Sequence, residues 1–504
     1  RVPDLSISGT DYPTSLLAVA RWDGMRPQEG NRPSHLFTIL DGNSIIARCE
    51  NPLGGKGRVS RILRLVVETL GHRGVGIGRH QGKVVMVPLS APGDELEVEI
   101  IESHRSYDEG RILRLLNPSP WRREPPCKYF GSCGGCQLQH LEISYQRREK
   151  EKIFSEMMES GSRVAREKIG GILFGQEEFG YRCRLDLRVV WDRGPRVGFS
   201  RRGSEELIPL ESCMVARKKI NDVLEPLGGF LREFFPWRVS RVEIACDDSS
   251  WGFTLFLARR GRETPPRERK FPEAARELEG LRSICMGRTE GGRVETLWAR
   301  EGGPLGVWMT VNLPGHGEMA LEVWPGVFSQ VNPEVNQILV NIILSWAHKL
   351  EARSILDLYA GMGNLSIPLS TIASRVMAVE VDPRAVENGL ENSRRIGAEN
   401  IVWIRNSAAK AISDLVSKGE RFDLVVLDPP RAGAKEIMGA IPLLDPKGVI
   451  YVSCDPATLA RDMAIVQRES PFRVQEIVPL DMFPQTYHIE SASLLLRPEG
   501  AQWS

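Results

Sequence analysis

No stretch of this 504-residue chain approaches the ~18 consecutive apolar residues that a membrane-crossing helix needs, and no signal-peptide pattern opens it. A cytoplasmic protein without a membrane partner is therefore expected. Net charge is equally scarce: 66 Lys and Arg against 65 Asp and Glu leave a formal +1. No global field draws the chain to a polyanion, so any such site must come from local clustering. One cluster exists between Tyr181 and Ile220, where ten Lys and Arg stand against five Asp and Glu, although an ordinary solvated face has the same composition. Internal repeats are also missing. The nine cysteines are odd in number and uneven in placement, with Cys127, Cys133 and Cys136 bunched and the others scattered. In a cytosolic chain such bunching argues for metal rather than disulfides.

The length suits about three domains. Residues 1–57 are rich in Gly, Pro, Asn and Ser, show no sustained period, and read as a poorly ordered extension without assigned function. Over 58–120 short β-like runs recur with glycine turns, the pattern of a small OB-like barrel, either RNA-binding or purely structural. Residues 121–325 carry the cysteine cluster, a charged helical stretch and a mixed, mainly β region. From 326 to 504 helical segments alternate with buried strands at Ser354 to Tyr359, Arg375 to Glu380, Asn400 to Ile404, Phe422 to Leu427 and Gly448 to Ser453. That alternation predicts an α/β domain with a doubly wound parallel sheet.

The first of these strands runs into Gly361-Met362-Gly363, and the second ends in Glu380. Glycines admit a ligand to the backbone, and an acid about twenty positions on can hold a ribose diol. Asp357 and the missing third glycine of G-x-G-x-x-G favour S-adenosylmethionine over a dinucleotide. The fourth strand leads into Asp428-Pro429-Pro430-Arg431, similar to the Asp-Pro-Pro-aromatic signature of amino-group methyltransferases; Arg431 in the aromatic position weakens that reading. Cys454, at the tip of the fifth strand, is the only cysteine after Cys285 and a candidate nucleophile. Uracil carbon 5 is too weak a nucleophile to take a methyl group unaided. A thiolate added at carbon 6 makes it enolate-like, and a separate base must then remove the carbon-5 proton. Asp481 to Glu490 offers His488 and Glu490 for that step, each otherwise an ordinary polar loop residue.

Together these segments resemble the RNA uracil-5-methyltransferase family, specifically its iron-sulfur branch that acts on 23S ribosomal RNA. The resemblance covers about residues 60 to 497. It rests on Asn117 to Pro120, on Pro126-Cys127 and Cys133 to His140, on Gly198-Phe199 leading to Cys213, and on Phe328 to Asn332. It continues through Asp357 to Asn364, Asp428 to Arg431, Ser453 to Asp462 and Asp481 to Glu490. The resemblance implies that Cys454 is the nucleophile and Glu490 the base. It places Gln330, Tyr359, Asn364, Glu380 and Asp428 around S-adenosylmethionine, with Asn406 on the adenine side and Ser407 fitting nearly as well. It makes Cys127, Cys133, Cys136 and Cys213 the ligands of a [4Fe-4S] cluster, a tetrahedral zinc site being the alternative. By the same resemblance 58–120 is a TRAM RNA-binding barrel and 121–325 a central iron-sulfur domain, of which part of 141–175 packs with the methyltransferase domain at 326–504.

Two departures are visible. Ala360 stands where many relatives carry cysteine, and Asp455 where they carry asparagine; neither replaces the nucleophile or base, though an acid beside Cys454 raises its pKa. The implied activity is methylation of uridine carbon 5 in RNA, expected to be 23S ribosomal RNA, with no obligate protein partner. The alternatives are the same reaction on transfer RNA, a noncatalytic RNA-binding ribosome-assembly factor, and an iron-sulfur redox enzyme, which would want an open iron site.

Overall fold

The computed structural model describes residues 59–235, 239–249, 252–259, 278–288 and 293–498, and the backbone of three short strands before them. The chain divides into two compact units, Arg1–Arg122 and Arg123–Ser504.

In the first unit, β-branched and leucine residues alternating with charged ones give strands with one apolar face. The strands are Val59–Gly71, Val75–His80, Lys83–Pro88, Glu95–Ser103 and Tyr107–Asn117. Each pairs with a neighbour, and Glu95–Ser103 bonds both Tyr107–Asn117 and Val59–Gly71, so the five close into a barrel. Leu63, Leu65, Val67, Val85, Val87, Leu96 and Val98 fill it. Gly110 allows one close approach, because a Cβ there would lie 2.3 Å from the Val98 side chain. The segment 1–57, expected to lack regular structure, contributes strands Val19–Ala20, His35–Asp41 and Ser44–Cys49, the last antiparallel to Val59–Gly71. Gly42-Asn43 between two apolar runs is a hairpin signal that the overall composition obscured. The remainder of 1–57 lies outside the described residues.

The second unit contains two large sheets. One is ordered Leu207–Pro209, Pro195–Ser200, Arg184–Trp191, Val239–Cys246, Phe253–Arg259, Leu281–Arg288, Glu295–Ala299. Helix Lys218–Phe234 covers it with Ile220, Val223, Leu227, Phe230 and Leu231. The other positions the site. Its strands are β1 (Ser354–Leu358), β2 (Arg375–Glu380), β3 (Ile401–Arg405), β4 (Leu424–Leu427), β5 (Gly448–Ser453), β6 (Arg473–Asp481) and β7 (Glu490–Leu496). They lie in the order β3-β2-β1-β4-β5-β7-β6, with Leu173–Phe174 beyond β6. The first five run parallel, as their apolar character predicts, whereas β7 is antiparallel to both neighbours. β6 and β7 were not expected from the sequence, since the Ser and Ala residues at 491–493 dilute the apolar run of β7.

Helix Ile143–Ser162 reaches across to this sheet. Its Phe154 and Met158 are buried in the same core as Leu356, Val425, Tyr451 and Leu459. Lys150, fully buried on that helix, donates to Asp481 Oδ1 at 2.6 Å and to the Phe483 carbonyl at 3.0 Å. Burial lowers the lysine pKa, and the Asp481 carboxylate opposes the shift. Breaking such a pair strands a charge in the interior. Lys150→Met should therefore destabilise the full chain by about 3 kcal/mol in urea unfolding, whereas Lys152→Met on the exposed face should change it by under ~0.5 kcal/mol.

Candidate active site

The carboxyl ends of β1 to β5 and the amino end of the reversed β7 share one rim, where open α/β sheets take their ligands. β1 leaves through Tyr359 at φ 64°, followed by Gly361 at 56° and Gly363 at 100°. These left-handed conformations are cheap only for glycine, which explains the two glycines of the turn. Glu380, at the end of β2, grips it: Oε2 accepts from the Gly361 N–H at 3.0 Å, and Oε1 from those of Val381 and Asp382 at 2.7 and 2.8 Å.

Beside the turn lies a cleft lined by Phe328, Gln330, Asp357, Tyr359, Asn364 and Asp428, among others. Four of the six residues singled out for the cofactor thus meet there. Glu380 reaches its wall through Gly361, and Asn406 follows β3 with its N–H bonded to the Glu380 carbonyl at 3.0 Å. Ser407 is exposed, and its Oγ caps helix Ala408–Ser417 by accepting from the Lys410 N–H at 3.3 Å. Asn364 is held by a residue that the sequence reading passed over. The amides of Asn364 and buried Asn336 exchange two hydrogen bonds of 2.9 Å each. The available signal was an amide on the apolar face formed by Val335, Leu339 and Val340.

Burial pushes Asp357 and Asp428 up to about 7. The charges of Asp428 and Glu380 raise Asp357 further, and Ser366 pulls it down, chiefly through its hydroxyl, which donates to Oδ2, and also through its backbone N–H. Asp357 Oδ1 is enclosed without a hydrogen-bond partner. A cleft lined by Asp357 and Asp428 favours a cationic guest, and a glycine turn beside it lets a ligand approach the backbone, so these residues fit S-adenosylmethionine with its sulfonium and amino groups.

β5 and β7 pair with Ser453 opposite Ser491, so one step further along the rim Cys454 faces Glu490. The half-buried Cys454 thiol is pushed up to about 12, first by burial, then by Glu490 and Asp428, with Arg431 opposing and Asp455 a smaller influence. The Asp455 carboxylate is turned to its own helix, accepting from the Ala457 and Thr458 N–H groups at 2.9 and 3.0 Å. Glu490 is 2% exposed, and burial and Asp428 hold its pKa well above the carboxylate range while Arg431 pulls it down. His488 moves the other way: burial, reinforced by Arg431, Lys150 and Arg182, lowers it to about 4, so its ring is neutral at pH 7. Of the two candidate bases, ionised Glu490 is the stronger proton acceptor because its conjugate acid is the weaker.

Cys127, Cys133, Cys136 and Cys213 line one cavity of about 90 Å³. Burial pushes Cys136 up to about 12 and also raises Cys133 and Cys213. Neighbouring cysteines add to each shift: Cys127 acts on Cys133, Cys213 and Cys133 on Cys136, and Cys133 on Cys213. Four sulfurs that repel one another as thiolates around a shared cavity are a donor set that fits an iron-sulfur core. Among the described residues no group of three or more His, Cys, Asp or Glu is arranged to hold a metal ion.

This cysteine segment is bonded directly to the motif that carries Glu490. The Gln485 carbonyl accepts from the N–H groups of Gln137 and Leu138, both at 3.0 Å. The Gln146 side chain donates to Gln485 Oε1 at 2.9 Å and accepts from the Gln485 N–H at 3.1 Å. The Tyr181 hydroxyl donates to the Pro484 carbonyl at 3.0 Å.

The strand order and the glycine turn define a methyltransferase-type α/β domain, with the Cys454 thiol and a buried acid at its rim. Residues 310–498 match the family described as tRNA (Uracil-5-)-methyltransferase, and residues 57–113 match the TRAM domain. The chain is 33% identical over 447 residues to the 23S rRNA (uracil(1939)-C(5))-methyltransferase RlmD of Chromohalobacter salexigens, covering 87% of this chain and 91% of the relative. It is also 33% identical over 442 residues to the protein of the same description from Pectobacterium atrosepticum, covering 87% and 94%. Its fold resembles that of the Pyrococcus abyssi tRNA (uracil-54, C5)-methyltransferase in complex with S-adenosyl-L-homocysteine, with a TM-score of 0.64 and 24% identity, over 86% of this chain and 100% of that one. The chain belongs to the RNA uracil-C5-methyltransferase family, a family of S-adenosylmethionine-dependent enzymes.

Asp357 and Asp428 give the site a measurable pH signature. Their folded-state values near 7 lie above the unfolded value, so the stability linked to their protons is complete below about pH 4 and is lost as pH rises through about 7. The melting temperature of cofactor-free protein should fall between about pH 5 and about pH 8, and Asp428→Asn should flatten the fall. An unchanged slope in the variant would remove Asp428 as a cause.

Proposed function

We propose that this protein methylates carbon 5 of a uridine in 23S ribosomal RNA through a covalent adduct between Cys454 and carbon 6 of the uracil. The observation that carries the reading is the facing of Cys454 and Glu490 on a rim shared with the carboxylate-lined cleft. S-adenosylmethionine, when bound, supplies an electrophilic methyl group. Gln330, Tyr359, Asn364, Glu380, Asn406 and Asp428 hold it. Cys454 loses its proton to solvent and its sulfur attacks carbon 6, leaving carbon 5 enolate-like; Arg431 is the cation that eases formation of the thiolate. Once methylated, carbon 5 still carries its proton. Ionised Glu490 takes that proton, the carbon 6–sulfur bond breaks, and its electrons return to Cys454. The burial that raises the Glu490 pKa makes its carboxylate a better base for this step. A base inside a helix cannot reach the rim, so the target uridine lies in a loop or is flipped out.

The ribosomal substrate is supported by relatives of that description aligned over most of the chain. The barrel of the first unit serves as the RNA-binding module, and the enzyme works in the cytoplasm. Cys127, Cys133, Cys136 and Cys213 hold a [4Fe-4S] cluster, and four protein ligands leave no open iron for redox chemistry on substrate.

Cys454→Ala should abolish methyl transfer, by at least ~10³-fold, and leave cofactor affinity within about twofold. Glu490→Gln should accumulate a methylated covalent RNA adduct, seen as a slow band in a denaturing gel, while His488→Ala slows turnover without trapping it. Adduct in the histidine variant together with free turnover in Glu490→Gln would reverse the assignment. Nucleoside mass spectrometry on 23S fragments and on transfer RNA distinguishes the two substrates. Protein purified anaerobically should be brown, with about four iron atoms per chain; a colourless protein holding one zinc would overturn the cluster.

A further inference from the structure

Two arginines lie against the segments that carry the cluster cysteines, and neither forms an ion pair with Asp or Glu among the described residues. Arg182 lines the cavity. Its backbone is bonded into the Cys213 segment, its N–H to the Val215 carbonyl and its carbonyl to the Arg217 N–H, both at 2.9 Å. Arg202 sits against the other cysteines: its N–H bonds the Ser132 carbonyl at 2.9 Å, and Nη2 donates to the Cys136 carbonyl at 3.2 Å. The Nε atoms of both are enclosed without a hydrogen-bond partner. The acidic groups that act on Arg202 are the Cys133 and Cys136 thiols, and those that act on Arg182 are Tyr181, Cys136 and Cys213.

An enclosed guanidinium nitrogen without a partner is costly, and neither arginine has a carboxylate among the described residues to offset that cost. The balance changes when four thiolates carry an oxidised [4Fe-4S] core, because the assembly then has a net charge of about −2. Two guanidinium groups match it. We propose that Arg182 and Arg202 are the counter-ions of the cysteine-held cluster, governing how firmly it is retained and how easily it is reduced. The inference rests on the cluster reading above and adds two residues to it. Adding one electron to the core increases the negative charge, so nearby cations favour the reduced form, and removing either cation opposes reduction. Arg182 also places its guanidinium 5.5 Å from the Phe483 ring centroid, so one of the two charges lies against the motif that leads to Glu490.

The test uses the full chain purified anaerobically, as wild type, R182M, R202M, R182K and R202K, with circular dichroism to verify the fold of each. Iron loss to a chelator, followed by visible absorbance, should be about tenfold faster in each methionine variant and close to wild type in each lysine variant. Titration with dithionite and mediators should show the one-electron reduction equilibrium shifted about tenfold toward the oxidised form in the methionine variants, about 59 mV. If R182M does not fold, R202M, whose side chain bonds the Cys136 carbonyl, decides the outcome. Folded methionine variants that match wild type in both measurements overturn the proposal, as do lysine variants that fail as badly as methionine. A wild type without iron overturns the cluster reading and this inference with it; a brown wild type with unaffected variants overturns only the inference.

Discussion

A single antiparallel pairing governs the chemistry at the rim. In an all-parallel sheet the residue that follows one strand and the residue that begins another lie on opposite edges. β7 runs backwards between β5 and β6, so its first residue comes to the edge where β5 ends, and the Ser453–Ser491 register brings Glu490 beside Cys454. Strand side chains alternate, so a slip of one residue would turn the acid to the other face of the sheet. The register is secured from β6 as well, where Leu480 pairs with Glu490 and the next residue, Asp481, is pinned by Lys150.

Burial then sets the charge of almost every group at that edge, and it does so in opposite directions for acids and bases. Asp357, Asp428, Glu490 and the Cys454 thiol are all raised, while His488 is lowered. The resting site is therefore poor in net charge despite its many ionisable side chains. Exposed Arg431 acts against this trend on both Cys454 and Glu490, so the position that departs from the Asp-Pro-Pro-aromatic signature of amino-group methyltransferases has an electrostatic part instead.

The parallel half of the sheet was legible because strands buried on both faces are continuous apolar runs, and β1 to β5 lie within a residue or two of their expected places. The glycine turn, the acid closing β2 and the thiol at the tip of β5 were legible for the same reason: they sit at strand ends, where sequence position fixes spatial position. Asn336 and Gln485 were not legible. Each acts through a partner distant in sequence, Asn364 for one and Gln146 for the other, and no local pattern records such a contact. The approach of Glu490 to the end of β5 likewise depends on the β5–β7 register, which only long-range pairing determines. The cap that Ser407 provides, its oxygen accepting from the Lys410 N–H, was also not read from the sequence.

The Lys150–Asp481 contact has a consequence for the chain's biosynthesis. The two residues are 331 positions apart. At ~5–20 residues per second a ribosome needs roughly 15 to 65 seconds to travel between them. During that interval helix Ile143–Ser162 has been made but its buried partners, helix Pro456–Glu469 and β6, have not. Phe154 and Met158 then have no native surface to cover them, and the nascent chain presents an apolar helix face of the kind that general chaperones bind.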